Sequence, residues 1–409
     1  MISSVSIQGY KSYKSLKDFP LRPLNVLIGP NRSGKTNFLD FWDLLSQAGK
    51  QQLPNAINKR GGIGSVISWD QSVSLKFDMD FEAQGPFLVE NQKIRYLTDI
   101  AKQQLGYSVA DERLVNNPQN MTGLQNTIEL IKKDLQKSLL SISSGNGTIY
   151  KQSTDQWNEI HLDSATDLAI TQIRDAASYP TLDKLRRYLA NITVHRPFNT
   201  DDNSPIRNAQ PVGVSEANLP PTRLSRGGDN LTNVLYFIHN DPKYQDYYEE
   251  YLATLRRGFS SFEQLIFPAD VGQGKTIMAW KDRNVPKRAI TANLLSDGTL
   301  RFMCLLAALY DPEPPSLLCL DEPEVSLHPQ LVRLLVSVLH EASERMQIIV
   351  TTHSPELISY LENADDVVVA EAEEGWSTLR RLSQSDLQHW LEKYSLGELW
   401  MSGEIGGRR

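Results

Sequence analysis

The residues best suited to chemistry fall into a few short clusters. Gly29-Pro30-Asn31-Arg32-Ser33-Gly34-Lys35-Thr36, continued by Asn37, fits the spacing G-x-x-x-x-G-K-[ST]. It stands between an apolar run, PLNVLI, and an amphipathic pattern, NFLDFWDLLSQAG. Gly29 and Gly34 let the backbone curl so that N–H groups at a helix start face an anion. Lys35 is placed to bridge β- and γ-phosphates, and Thr36 to ligate Mg²⁺. The strand before and the helix after are the context this motif needs, so the spacing predicts a nucleotide phosphate site.

Three further clusters could serve such a site. PPSLLCLDEPEVSLHP (314–329) is an apolar strand ending in Asp321-Glu322. An acid at the carboxyl end of a strand can hold a metal through its waters, and its neighbour can orient an attacking water. Asp321 fits the metal role and Glu322 the general base, although an isolated pair of this kind is also an ordinary strand-end charge pair. QIIVTTHSPELI (347–358) ends a second apolar strand in His353, 32 residues after Asp321. An imidazole there can hydrogen-bond a γ-phosphate, whereas a lone histidine after a strand is usually structural. Leu295-Ser296-Asp297-Gly298-Thr299 opens the apolar helix TLRFMCLLAALY. Ser296 reads either as a plain N-cap or as one donor of an anion site built with the helix-start amides.

These clusters need elements to position them. Residues 2–8 and 24–28 read as short strands, and SVSLKFDMDFE (72–82) alternates as a half-exposed strand should. From about 86 to 190 the texture turns polar. Leu124, Ile128, Ile131, Leu135, Leu139 and Ile142 recur at helical spacing there, which predicts one amphipathic helix within a mainly helical insertion. SSGNGTIYKQSTDQW reads as a turn and a strand. Residues 199–230 are rich in turn formers and read as an irregular surface loop; a helical pattern follows from about 229, then a strand through GKTIMAW. EAEEG (371–375) reads as a surface turn. The expected domains are 1–85, 86–190 and 191–409, an N-terminal lobe, the insertion and a C-terminal lobe.

Composition bounds the class. With 409 residues, 22% charged and 40% hydrophobic, the chain is neither disordered, collagenous nor a disulfide-stapled miniprotein. A net charge of −7 leaves any basic surface local. Cys304 and Cys319 lie in apolar runs and read as buried hydrophobes in a reducing compartment. MISSVSIQGYKSYKS lacks the apolar block of a signal peptide, and no apolar run approaches the ~20 residues of a membrane span. The expectation is a soluble, cytoplasmic protein without a membrane partner.

Taken in order, the P-loop, LSDG, DEP, LHP and TTHSP resemble an ABC-type ATPase head, an α/β P-loop NTPase fold with a mixed sheet flanked by helices. The RecF/SMC-like branch is the nearer likeness, since Gly9-Tyr10-Lys11-Ser12-Tyr13 resembles its G-[FY]-K-S-[FY] phrase and GKTN closes the loop. LSDGTLRF, DEPEVSLHP and LGELWMSGEIGG (396–407) further resemble overcoming-lysogenisation-like bacterial AAA-type ATPases. The resemblance covers about 1–85 and 190–409. It implies two heads sandwiching ATP and Mg²⁺ in a homodimer or higher oligomer, with Ser296 and Gly298 completing the partner copy's site. It further implies Glu322 as catalytic base, His353 as switch histidine, and Ser326 to His328 as the loop crossing the seam. The signature reads LSDG rather than LSGGQ, and Gln71 is only a weak candidate for the glutamine-loop position.

The leading expectation is an ATP-driven dimerisation switch in anti-phage defence or DNA repair. Relatives of the overcoming-lysogenisation type carry a Toprim nuclease, but only about 50 residues follow Ile358. Any cutting is therefore expected from a separate effector, a nuclease or toxin, with DNA or RNA binding left open. The alternative is the ATPase subunit of a transporter, against which stand the absent LSGGQ, the GYKSY phrase and the insertion. A P-loop kinase or GTPase has no place for the DEP–LHP–TTH series, and no N-K-x-D guanine motif is found.

Overall fold

The computed structural model describes residues 1–68, 73–82, 93–116, 138–211, 221–270 and 274–406. The chain forms two compact units, Met1–Thr193 with Val367–Arg381, and Val194–Asp366 with Leu382–Arg408.

The first unit is built on an eight-stranded antiparallel sheet. Its strands lie in the order 13–20, 2–10, 74–82, 93–103, 106–116, 138–143, 146–151 and 156–161. Ser74–Glu82 alternates buried and half-buried residues throughout, so Leu75, Phe77, Met79 and Phe81 share one face. Against that face packs the helix Lys35–Gly49, through Phe38, Phe41 and Trp42. The Phe38 and Phe41 rings meet Tyr10, Tyr13, Phe19 and Phe77 edge-on or tilted at centroid distances of 5.5–6.5 Å, and Trp42 packs edge-on against both. Fully burying aromatic side chains on one stripe is worth a few kcal/mol each, and this stripe fixes the helix that begins at the glycine-rich loop. A smaller mixed set lies in the same unit: Leu24–Ile28 runs parallel to Val367–Glu373, which pairs antiparallel with Trp376–Arg381.

The second unit holds the parallel pair Leu317–Asp321 and Gln347–Thr351, in register from Leu317↔Gln347 to Asp321↔Thr351. Helix Pro329–Ser343 lies between them in sequence, the βαβ arrangement that parallel pairing requires. Both strands are mainly apolar and buried except at the half-buried Asp321, as strands covered on both faces should be.

Two expectations change. Among the described residues, 93–161 of the expected helical insertion is sheet; helix appears at Ala169–Gln172 and Pro180–Ala190. Leu139 and Ile142 lie on the strand Ser138–Ser143, while Leu124, Ile128, Ile131 and Leu135 lie outside the described residues. A short apolar run fits either period, and here hairpin pairing (Leu140↔Ile149) decides it. Among its described residues the stretch 199–230 is irregular and largely exposed from Asn199 to Pro211, as expected, but it turns Thr200, Ser204, Ile206 and Arg207 inward, and Thr222, Arg223 and Leu224 are buried. Arg207 meets backbone carbonyls, and Arg223 pairs with the Asp311 carboxylate. By contrast, Glu374-Gly375 is the exposed hairpin turn that EAEEG suggested.

Glu112, on the strand Gly106–Asn116, is wholly buried. Its carboxyl accepts hydrogen bonds from the amides of Ala169 (2.5 Å) and Ile170 (3.0 Å) and from the Tyr96 hydroxyl (3.0 Å). Burial outweighs these bonds and pushes its pKa up to about 7. The native state then holds a proton that the unfolded chain has lost above about pH 4.5. Stability must fall as pH rises from about 4.5 to 7 and level off above, by on the order of 3 kcal/mol from this group. Glu112→Gln should flatten that decline. Urea midpoints at pH 5, 6 and 7 check it, and equal slopes in the two proteins would refute it.

Candidate functional site

The glycine-rich loop takes the conformation its sequence calls for. Gly29 has φ 148°, Arg32 φ 68° and Gly34 φ 100°. A Cβ on Gly29 would lie 2.1 Å from the Ala370 carbonyl oxygen, and one on Gly34 2.1 Å from Ser377 Oγ, so both positions require glycine sterically as well as torsionally. The helix Lys35–Gly49 starts directly at Gly34, with no side-chain cap and no acid in its first turn. Its first amides have no carbonyl one turn back, and the helix dipole adds positive potential there. Lys35 is buried and lies over the loop, donating to the carbonyl oxygens of Gly29 (2.7 Å) and Pro30 (2.9 Å). Ser33 Oγ is buried with no hydrogen-bond partner among the described residues. Asn31, Arg32 and Thr36 are exposed. An uncapped helix start, an ammonium and an orphan hydroxyl together fit a chain of phosphates.

The Gly9–Tyr13 turn braces this loop. Tyr13 donates to the Gly34 carbonyl at 3.1 Å, and Asn37 Nδ2 donates to Ser12 Oγ at 2.8 Å. Ser377 also donates to Ser12 Oγ, at 2.7 Å. One turn along the helix, Asp40 is paired with Lys11 and with Arg60 at 2.9 Å, and accepts from Tyr10 at 2.8 Å. Burial by itself would push the Asp40 carboxyl up, but the bonds and charges of Arg60 and Lys11 prevail and hold its pKa at about 2. The GYKSY phrase, with Lys11 and Ser12, stands out in the sequence, but its brace on the loop, and Ser377, Asp40 and Arg60, do not.

The second unit gathers the acidic strand end and the histidine. Thr351 Oγ1 donates to Asp321 Oδ1 at 2.6 Å, and the Glu322 amide donates to the Thr351 carbonyl at 3.0 Å. Glu322 Oε1 and His353 Nε2 stand 3.5 Å apart, both side chains about a third exposed. That spacing lets one carboxylate and one imidazole share a water or a phosphate oxygen. Glu322 has φ 47° and Ser326 φ 67°, left-handed backbone that non-glycine residues adopt at a cost and that clusters at functional sites. Glu324, in the DEPE phrase but without an expected role, ties the two strand ends together. Its Oε1 accepts from Thr352 Oγ1 (2.5 Å) and the His353 amide (3.2 Å). Burial raises its pKa.

Asp321 offers a half-buried carboxylate, and Thr36 in the first unit an exposed hydroxyl. These are hard oxygen donors of the kind Mg²⁺ takes. Beside Asp321 and Glu322 lies a cleft lined also by His195, Arg196, Phe198 and Arg301. Burial pushes His195 down to about 4, so it is neutral at pH 7 and supplies no charge to the cleft.

Ser296 is the N-cap of helix Asp297–Leu309, and its Oγ accepts from the Thr299 amide at 3.2 Å. The plain capping role is therefore real. It coexists with exposure of Ser296 and Asp297. Gly298 sits so close to the loop Glu322–Leu327 that a Cβ there would lie 2.5 Å from the Ser326 carbonyl oxygen. The structure thus brings LSDG and the start of the LHP loop together. Gln71 lies outside the described residues.

Residues 246–359, which hold LSDG, the acidic strand end and His353 but not the glycine-rich loop, match the family described as "AAA domain, putative AbiEii toxin, Type IV TA system". An ATP/GTP phosphatase of Helicobacter pylori (strain ATCC 700392 / 26695) is 21% identical over 406 residues, which covers 97% of this chain and 96% of that protein. Among solved structures, an SMC head bound to the C-winged helix domain of ScpA matches with TM-score 0.53 and 13% identity, covering 95% of this chain and 99% of that one. An Smc head with an extended coiled coil, derived from Pyrococcus furiosus and bound to the C-terminal domain of ScpA, matches with TM-score 0.50 and 13% identity, covering 96% and 98%. The fold is that of an SMC head, the ABC-type P-loop fold with sheets flanked by helices. Among the described residues no helix is long and apolar enough to cross a membrane.

Proposed function

We propose that the chain is an ATPase whose heads assemble on ATP and part on hydrolysis. The observation that carries the reading is the glycine-rich loop: an uncapped helix start, Lys35 and an orphan Ser33 hydroxyl in one turn of backbone. The acidic strand end with His353 in the second unit, and the relative named an ATP/GTP phosphatase, support it. The amides from Ser33 to Asn37 and the Lys35 ammonium hold the phosphates. Thr36 and Asp321 are the oxygen donors that would hold a divalent cation such as Mg²⁺, which would supply positive charge to the phosphates. Glu322 takes a proton from the attacking water, and His353 hydrogen-bonds the γ-phosphate as charge develops. Ser296 and Gly298 of a second copy close the site from the other side. The family description that mentions a toxin of a type IV system favours defence over transport, with a separate effector reading the assembled state.

Purified chain alone should release phosphate from ATP, slowly, and only with a divalent cation present. Release measured with Mg²⁺ and with chelator checks this. Phosphate release equal in the two conditions, or none without an added membrane protein, would overturn the reading.

A further inference from the structure

Arg207 stands at the end of the short helical turn Pro205–Arg207, in a stretch whose composition suggested a surface loop. Its side chain is only 7% exposed. Every contact it makes serves two short segments. Nε donates to the Thr200 carbonyl at 2.7 Å. Nη1 donates to the carbonyls of Leu295 at 2.8 Å and of Ala292 and Asn293 at 3.4 Å, and Nη2 pairs with Asp297 Oδ1 at 2.5 Å. The guanidinium therefore gathers the carbonyls of the turn leading into Ser296 and the first side chain of the helix that follows. Those carbonyls belong to a single helical turn and a bend rather than to a regular ladder, and Ala292's also accepts from the Leu295 amide at 3.3 Å.

Thr200 doubles the connection. Its carbonyl takes Arg207, and its hydroxyl accepts from Arg301 Nε at 3.3 Å. Arg301, on the same helix as Gly298, also donates to Ser326 Oγ at 2.9 Å. The helix start is thus pinned on one side by Arg207 and on the other by the loop holding Ser326.

We propose that Arg207 is the positioning residue of the LSDG turn, fixing Leu295 and Asp297 so that the Ser296 hydroxyl and the first-turn amides face a nucleotide held by a second copy. The inference rests on the two-headed reading of the preceding subsection. Lysine cannot replace the fork, because one ammonium on a flexible stem cannot reach four carbonyls and a carboxylate in fixed directions. The effect acts in trans: a chain altered at Arg207 keeps its own phosphate loop intact and fails only in what it lends its partner.

Complementation tests it. Arg207→Lys and Ser296→Arg should each bind ATP as the unaltered chain does, yet turn it over at least about tenfold more slowly, as expected when charge-assisted bonds that orient a site are lost. Co-expressed with Lys35→Ala, whose own site is dead but whose LSDG turn is sound, each should regain activity. In a symmetric dimer formed at random, half the dimers are mixed and each has one sound site, so recovery should reach about a quarter of normal turnover. Recovery with both variants supports the proposal. Recovery with Ser296→Arg but not with folded Arg207→Lys overturns it while leaving the two-headed reading intact. Recovery with neither removes that reading and the proposal together. If Arg207→Lys does not fold by circular dichroism, Asp297→Asn, which keeps the shape but removes the charge that Nη2 meets, goes through the same mixture and is judged by the same outcomes.

Discussion

Lys35→Ala is expected to abolish nucleotide binding. The ammonium is the one buried cation of the glycine-rich loop and sits 2.7 and 2.9 Å from the carbonyls of Gly29 and Pro30. Those oxygens carry partial negative charge turned inward, and phosphates carry more, so an incoming nucleotide competes for the same ammonium on favourable terms. Removing it leaves the amide cradle with its dipole and no counter-charge. Losing one partner of a buried charge pair costs about 2–5 kcal/mol, or roughly 30- to 5,000-fold in affinity. Fluorescent-nucleotide titration measures it. Near-normal affinity in a folded variant would remove Lys35 from the site. Folding should survive, since Phe38 and Phe41, not Lys35, hold the helix to the sheet.

Glu322→Gln is expected to separate binding from chemistry. The substitution keeps size and one acceptor but removes the base 3.5 Å from His353. Loss of a general base slows the chemical step by about 10²–10⁴-fold. Lys35, Thr36 and Asp321 are untouched, so ATP should still bind and should persist. If each bound ATP joins one chain's phosphate loop to the other's LSDG turn, the variant should rise to dimer mass or a higher closed assembly with ATP and Mg²⁺. Adding Ser296→Arg, which sets a bulky cation at the exposed helix start, should return it to the starting mass. Multi-angle light scattering on the single and double variants decides the matter. A Glu322→Gln protein that binds ATP without change of mass, or whose assembly ignores Ser296→Arg, leaves a single-headed ATPase. Where the chain is already dimeric without nucleotide, the distance between labelled heads replaces mass as the readout.

Much of the candidate site is legible in order along the chain because its parts are local. A loop that must curl at Gly29 and Gly34 announces itself by glycine, and strands covered on both faces announce their ends by the first charge, as at Asp321. The brace around these parts is not legible. Asp40 meets Lys11 and Arg60 across 29 and 20 residues, Glu324 meets Thr352 across 28, and Arg207 meets Leu295 across 88. Nothing in the spacing of such residues sets them apart from ordinary surface charges.

By itself the sequence determined the glycine-rich loop before a helix, the acidic strand end, the histidine after the next strand and the capped helix at Ser296, since each is a contiguous segment whose backbone preference and side-chain chemistry agree. Only the tertiary structure decided that 93–161 is sheet among its described residues, because strand pairing partners there are supplied from outside any one window. It alone decided that the turn-rich, largely exposed stretch around Arg207 turns Thr200, Ser204, Ile206 and Arg207 inward. Turn-forming residues are favoured wherever the backbone leaves regular ladders, whether water or a guanidinium satisfies its carbonyls, and that choice is made by what packs against them.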